Sequence, residues 1–295
     1  VHLIPAFGEL RLFELDTPRI DAFHSTLAKR RKGNTVKNVL NVLSAMLTKA
    51  EALGWIEKKP KIVRPKPDPC DFNWIDSLDK VRAFLRTARE EEERLPLPGL
   101  ATMYATSVYT GARQGEVAAL TWSAVDLEAR LITIARSFDK TTKTQHIRRI
   151  PILDPLLPLL REWRLRCPAS DGDWVFPNTR GKMHAPSARV FKGLSKKRDN
   201  DGTYGRVLDR AGVKGHHPDR QLTYHDLRHT FASLWMKQGG DLFRLQKILG
   251  HQNIQMTLRY AHLSPDAFSE DYGRLGEDPA TRFGTVAAMS KARRG

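Results

Sequence analysis

Pro60, Pro65, Pro67 and Pro69 fall within twelve residues, 58–69. Each lacks a backbone N–H and fixes φ, so neither a helix nor a central strand can pass through this stretch. The chain must fold as separate bodies on either side of an extended, semi-rigid segment. The 295-residue length, which suggests about two domains, agrees. The expected division is a helical unit over 1–67, a basic linker over 58–74, a larger domain over 75–275 and a tail over 276–295.

The first unit reads as helices. Thr17 is the expected N-cap of a helix that carries Pro18 at its first position, runs to about Arg31 and stops at Gly33. Asn34 or Thr35 opens a second helix, ended by Gly54, whose Val36, Val39, Leu40, Leu43, Met46, Leu47, Ala50 and Leu53 keep a helical period. Position 1 is Val rather than Met, and the reading expects a further helix before it.

In the larger domain, Asp76 or Ser77 caps a helix that ends in the acidic run Glu90–Glu93, read as a solvated face. A helix from Pro98 to Thr110 stops at Gly111. The period then becomes alternating: Leu131–Ala135 and Ile147–Ile152 read as a hairpin with a polar loop around Asp139–Gln145. Helical patterns return at Pro155–Arg166, Pro186–Lys197, Asp226–Gln238, Leu242–Leu249 and Ile254–His262. The fold class is mainly α with a small β-sheet.

Charge narrows the partner. Formal net charge is +16, and 13 basic against 6 acidic residues fall in 1–67. Such an excess points first to nucleic acid and second to an anionic membrane. No strongly amphipathic basic helix supports the membrane. Four consecutive cations, Lys29, Arg30, Arg31 and Lys32, exceed what a helix end needs; with Lys37, and with Lys58, Lys59, Lys61, Arg64 and Lys66 on the linker, they are the candidate phosphate contacts. No apolar run is long enough to span a bilayer, and no signal peptide is evident. Cys70 and Cys167 are too few for a disulfide framework or a Cys-rich zinc site.

Four stretches concentrate groups suited to phosphoryl chemistry. Thr110-Gly111-Ala112-Arg113-Gln114-Gly115-Glu116 places Arg113 on a corner between helices, where its planar fork can meet a phosphate. Lys143 lies on the hairpin loop. His225 and Arg228 share a face at a helix N-terminus, which favours anions. His229 beside Phe231 reads as a packed, hydrogen-bonded histidine, and metal binding by His225 and His229 lacks the expected Glu and would face Arg228. His251 follows Gly250, and Tyr260 lies nine residues further on. Taken singly, each of these residues also fits ordinary packing or a solvated surface.

In order and spacing the four stretches resemble the tyrosine recombinases, or phage-type integrases. Thr-Gly-x-Arg-x-Gly-Glu, a lysine ahead of Arg149-Ile150-Pro151, His-x-x-Arg, Leu-Gly-His and a downstream Tyr form that family's set. The resemblance implies a helical core-binding domain and a catalytic domain that form a C-shaped clamp on double-stranded DNA. It implies a site-specific recombinase that works through a 3′-phosphotyrosine and needs neither cofactor nor metal. Tyr260 would be the nucleophile and His225 its base or hydrogen-bond partner. Arg113, Arg228 and His251 would bind the non-bridging oxygens, and Lys143 would protonate the leaving 5′-oxygen. Glu116 would hold the Arg113 corner. Also implied are a tetramer on DNA, accessory DNA-bending or directionality proteins, and a cytoplasmic, nucleoid-associated location in a bacterium. Integration or excision of a mobile element is the favoured role. Chromosome-dimer resolution, a type IB topoisomerase-like activity and a DNA-binding regulator with an inactive site are the alternatives.

Overall fold

The computed structural model describes residues 2–64, 72–138, 140–141, 147–194 and 202–265. The chain divides into two compact units, Val1–Asp71 and Phe72–Gly295. The expected positions of Lys66, Cys70, Lys143 and the tail over 276–295 lie outside the described residues.

In the first unit, α1 (Leu3–Phe7), α2 (Thr17–Ala28) and α3 (Gly33–Ala52) enclose a small core. Ile20 and Leu27 of α2 meet Val36, Leu40, Leu43 and Leu47 of α3. The caps differ from expectation by one residue. Asp16 is the N-cap of α2 and accepts from the Arg19 N–H at 3.0 Å. The Thr17 hydroxyl is engaged instead by the Lys61 N–H at 3.2 Å. The helix ends at Ala28, and α3 begins at Gly33 with Lys32 as its cap.

The second unit contains α4 (Leu78–Arg94), α5 (Leu100–Thr110), α6 (Gln114–Ala118), β1 (Val125–Asp126), β2 (Leu131–Ile134), β3 (Arg136–Ser137), β4 (Lys140–Thr141), β5 (Arg148–Pro151), α7 (Leu157–Arg166), α8 (Thr203–Arg210), α9 (Asp226–Lys237), α10 (Leu242–Leu249) and α11 (Gln255–Leu258). Helix α5 is buried nearly all round, as a central helix must be. It packs on α4 and α9. Its hydroxyls remain satisfied by bonding back along the helix, Thr106 to the Thr102 carbonyl at 2.8 Å and Thr110 to the Thr106 carbonyl at 2.5 Å.

A three-stranded antiparallel sheet, ordered β1-β2-β5, covers one side. Ile132 lies opposite Ile150, as the expected hairpin requires, while β3 and β4 form a separate ribbon. Two expectations fail here. Over 186–194 there is only a 3₁₀ turn, Arg189–Phe191, and the helix of that region is α8, which buries Tyr204, Val207 and Leu208. Of Glu90–Glu93, Glu90 and Glu93 are exposed as expected, but Glu91 and Glu92 are not. The Glu91 side chain is fully buried among Arg94, Arg206 and Arg210, and Glu92 accepts from the Ala101 N–H at 2.9 Å. These carboxylates tie α4 to α8 and to the start of α5. The last helical stretch is also shorter than expected: α11 ends at Leu258, and a 3₁₀ turn, Ala261–Leu263, follows Tyr260.

Candidate active site

Two glycines at helix ends frame the site. Gly111 closes α5 and Gly250 closes α10, both left-handed, with φ of +63° and +67°. A side chain at either would be strained by the backbone, and its Cβ would lie 2.6 Å from the Phe231 ring or 2.8 Å from Arg148 Cδ. These caps turn the Gly111 and Leu249 carbonyls toward each other, and Arg228 joins them. Its Nη1 donates to the Gly111 carbonyl at 2.7 Å and its Nη2 to the Leu249 carbonyl at 2.6 Å. Arg228 thus cross-links the ends of α5 and α10 from α9 while 3% exposed. Burial, followed by repulsion from Arg113, pushes its pKa down to about 9, which leaves it a cation at neutral pH.

Arg113 stands on the corner after Gly111. Glu116 accepts from its backbone N–H at 2.7 Å and from Nη1 at 3.1 Å, so the carboxylate three residues on holds the corner through two bonds that Arg113 donates. Glu116, 2% exposed, also receives both ends of the Arg148 guanidinium, at 2.9 and 2.6 Å. Burial would raise the Glu116 pKa, but the Arg148 hydrogen bonds and the Arg113 contacts outweigh it and hold the carboxyl below its ordinary value. The Arg148 Nε then donates to the Ile248 carbonyl at 2.9 Å. The structural role expected for Glu116 is what the geometry gives.

Arg148 is the residue that sequence reasoning missed. The signal was the strand alternation: Ile150 faces inward, so Arg148 two residues earlier must as well. An inward arginine requires a carboxylate.

His251 directly follows the α10 cap. Its Nδ1 shares a hydrogen bond of 2.9 Å with Thr257 Oγ1. Burial, then Arg228 and Arg113, push its pKa down to about 3. His225 lies at the N-terminus of α9, where Tyr224 is anchored to Ser107 by a 2.6 Å hydroxyl contact and Asp226 accepts from the Thr223 N–H at 2.6 Å. Loss of water, then Arg228, also lower the His225 pKa.

Tyr260 is 1% exposed. Its hydroxyl lies 2.6 Å from Nδ1 of His229, where the sequence had nominated His225 as partner. Phe72 stacks on His229 at 4.8 Å and meets the Tyr260 ring edge-on at 4.9 Å.

The candidate phosphate contacts of the first unit divide into two groups. Lys29, Arg30, Arg31, Lys32, Lys58 and Lys61 are exposed, and Lys37 is half-buried. Lys59 Nζ is held by the Ser44 and Thr48 hydroxyls at 2.8 and 2.7 Å, and Arg64 Nη2 by Ser44 at 3.0 Å. The start of the proline-rich strap is therefore laced onto α3. Among the described residues no group of three or more His, Cys, Asp or Glu is placed to hold a metal ion, and no helix is long and apolar enough to cross a membrane.

Residues 78–266, well over half of the chain, match the phage integrase family. The chain belongs to the phage integrase family. It is a tyrosine recombinase. A putative integrase of Pseudomonas phage Pf1 is 29% identical over 267 residues, spanning 90% of this chain and 68% of the phage protein. Tyrosine recombinase XerC of Xylella fastidiosa strain 9a5c is 28% identical over 282 residues, spanning 90% of this chain and 82% of XerC. The fold is shared with the Tn1549 transposon integrase solved with a circular intermediate DNA, at a TM-score of 0.69 and 20% identity over 90% of this chain and 87% of that one. It is shared as well with a lambda integrase dimer bound to a core site, at a TM-score of 0.66 and 18% identity over 94% of this chain and 87% of that one. In this integrase, Arg113, Glu116, Arg148, Arg228 and His251 converge on the two glycine-capped helix ends, and Tyr260 docks beside them on His229.

Proposed function

We propose that this integrase cleaves and rejoins double-stranded DNA at specific sites, and that its role is to integrate or excise a mobile element. The observation that carries the reading is the convergence of Arg113, Arg228 and His251 at the two glycine-capped helix ends, close enough that burial and then the two arginines hold His251 neutral, while Glu116 beside them is paired with Arg148.

The chemistry follows from the side chains. Tyr260 Oη attacks the scissile phosphorus, and the P–O bond to the 5′-oxygen breaks, leaving a 3′-phosphotyrosine and a 5′-hydroxyl. The phosphodiester energy is kept in the new ester, so no nucleotide cofactor is consumed. Arg113, whose side chain is 40% exposed, keeps Nη1 on Glu116 and can offer its remaining guanidinium N–H groups to the non-bridging oxygens. Arg228 adds a fixed positive charge that costs no reorganisation, because backbone carbonyls already hold it. For His251, a Thr257 hydroxyl that donates to Nδ1 leaves the proton on Nε2, ready for a phosphate oxygen. Lys143 is the proposed general acid for the 5′-oxygen, and His225 assists the phenol. Cations of the protein do here what metal ions do in two-metal nucleases.

Lys29, Arg30, Arg31, Lys32, Lys37, Lys58, Lys61 and Lys66 are proposed to contact phosphates, with Lys59 and Arg64 shaping the strap. Such contacts give affinity with steep salt dependence and leave sequence reading to other groups. The working unit is proposed to be a tetramer on paired sites, aided by DNA-bending or directionality proteins.

Strand exchange between two duplexes carrying the element's end sequences tests the function. Recombinant product in the presence of EDTA is the expected result. Relaxation of supercoiled DNA without exchange would favour the topoisomerase-like reading, and binding without any cleavage would favour the regulator.

A further inference from the structure

We propose that His229 is the positioning residue of the nucleophile, its Nδ1 accepting the hydrogen bond that orients the Tyr260 hydroxyl. This rests on Tyr260 being the nucleophile, as the proposed function holds.

Tyr260 is 1% exposed, and a neutral phenol so enclosed must place its proton on an acceptor or lose about 1–3 kcal/mol. Nδ1 of His229 lies 2.6 Å from Oη, a short contact for a hydroxyl and an imidazole. That distance fixes the rotation of the C–O–H group, which sets where the oxygen lone pairs point.

His229 is itself held by two other rings. Phe72 stacks on the imidazole with centroids 4.8 Å apart and planes 23° apart, and His225 approaches edge-on at 5.2 Å. Phe72 also supports the phenol ring at 4.9 Å. His229 and Tyr260 thus share one aromatic floor, and neither ring can turn without disturbing it. An acceptor also has to remain unprotonated. Burial, then the nearby His225 and Arg259, push the His229 pKa down to about 3, so the imidazole stays neutral throughout the neutral range, and with its one proton on Nε2 it leaves Nδ1 a lone pair for the phenol.

The arrangement separates two tasks at one helix end. Arg228 takes the side toward the phosphate site, His225 remains the proposed group that assists the phenol, and His229, one turn beyond His225, holds the hydroxyl in place. Loss of the acceptor would remove the 2.6 Å bond that orients the phenol hydroxyl. Fewer encounters would then begin with the oxygen aligned, a defect in the chemical step rather than in DNA affinity.

Two substitutions isolate the hydrogen bond from the packing. His229→Phe keeps a flat ring against Phe72 but accepts nothing. His229→Asn loses the ring but offers a carbonyl oxygen near the Nδ1 position. Single-turnover cleavage of a nicked suicide DNA should fall roughly 10-fold or more in His229→Phe at unchanged DNA affinity, with His229→Asn partly restoring the rate. In parallel, ¹³Cζ-tyrosine NMR of the full chain reads the phenol directly, with the Tyr260 signal identified by its loss in Tyr260→Phe. That signal should shift in His229→Phe and return toward the wild-type position in His229→Asn. A rate that follows the ring instead of the acceptor, a faster His229→Phe, or a Tyr260 signal indifferent to both variants overturns the proposal. Wild-type protein that forms no covalent adduct would overturn the nucleophile assignment and the proposal with it, whereas adduct formation unaffected by either variant overturns only the role of His229.

Discussion

Replacing Glu116 with Ala should destabilise the second unit by about 3–5 kcal/mol, the usual penalty when one partner of a buried ion pair is removed and the other is left uncompensated. The structure supplies the reason. The Arg148 side chain is only 11% exposed, and both of its terminal nitrogens end on Glu116. The Arg113 N–H would lose its acceptor as well. For a unit of this size each kcal/mol shifts the unfolding midpoint by about 2–4 °C, so the expected fall is roughly 6–20 °C. Adding Arg148→Met to Glu116→Ala should recover part of the loss, because an apolar pair needs no charge compensation. The pH dependence has a definite sign. The folded pKa of Glu116 is lowered, so its contribution is complete above the ordinary carboxylate pKa and disappears as pH falls through the folded value. Thermal and urea unfolding of the single and double variants at pH 7, then at decreasing pH, provide the assay. A Glu116→Ala loss below about 1 kcal/mol, or a double variant as unstable as the two single effects combined, would refute the reasoning.

Other outcomes follow from the same geometry. Arg228→Lys should cleave DNA about 10²–10³-fold more slowly than wild type, since one ammonium cannot span the Gly111 and Leu249 carbonyls and also face a phosphate; near-normal single-turnover cleavage would contradict this. His229 and His251 are held neutral in the folded site, so the unfolded chain takes up protons that the native state refuses, and stability should decline as pH drops from about 6.5 toward 5. His251→Gln should flatten that decline, and an unchanged slope would count against it. Lys143→Ala should cleave ordinary DNA slowly but a substrate with sulfur at the scissile 5′-bridge almost normally, because a thiolate leaves without protonation; an equal defect on both removes the general-acid role.

The parts of this site that were legible in the sequence are those fixed by local chemistry. Gly111 and Gly250 announced helix ends because a left-handed cap needs a residue without Cβ. The corner after Gly111 made Arg113 a candidate, but its role and that of Glu116 came from the order and spacing of the four stretches together. Helices α5 and α10 and the β2–β5 hairpin were readable from period alone. What failed depended on distant partners. Glu91 looked solvated because Arg206 and Arg210, which bury it, stand more than a hundred positions away. Arg148 was hidden because its carboxylate is 32 residues distant, although the inward phase of β5 marked it. His229 read correctly as a hydrogen-bonded histidine, yet its partner lies 31 residues along the chain, and only the docking of the segment after α10 reveals it to be Tyr260. Helix α8 was obscured by the polar, charged run before it, where apolar period is weak over only eight residues.

The central claim is that Tyr260 becomes covalently joined to a 3′-phosphate of DNA. The direct measurement traps wild-type protein on a suicide DNA whose nick lets the short fragment carrying the new 5′-hydroxyl diffuse away, digests the complex, and maps the nucleotide-bearing peptide by mass spectrometry. The account predicts one modified peptide, carrying a 3′-linked nucleotide on Tyr260, and none from Tyr260→Phe. A phosphodiester adduct on any other residue, a 5′-linked nucleotide, or cleavage that leaves no adduct would contradict it.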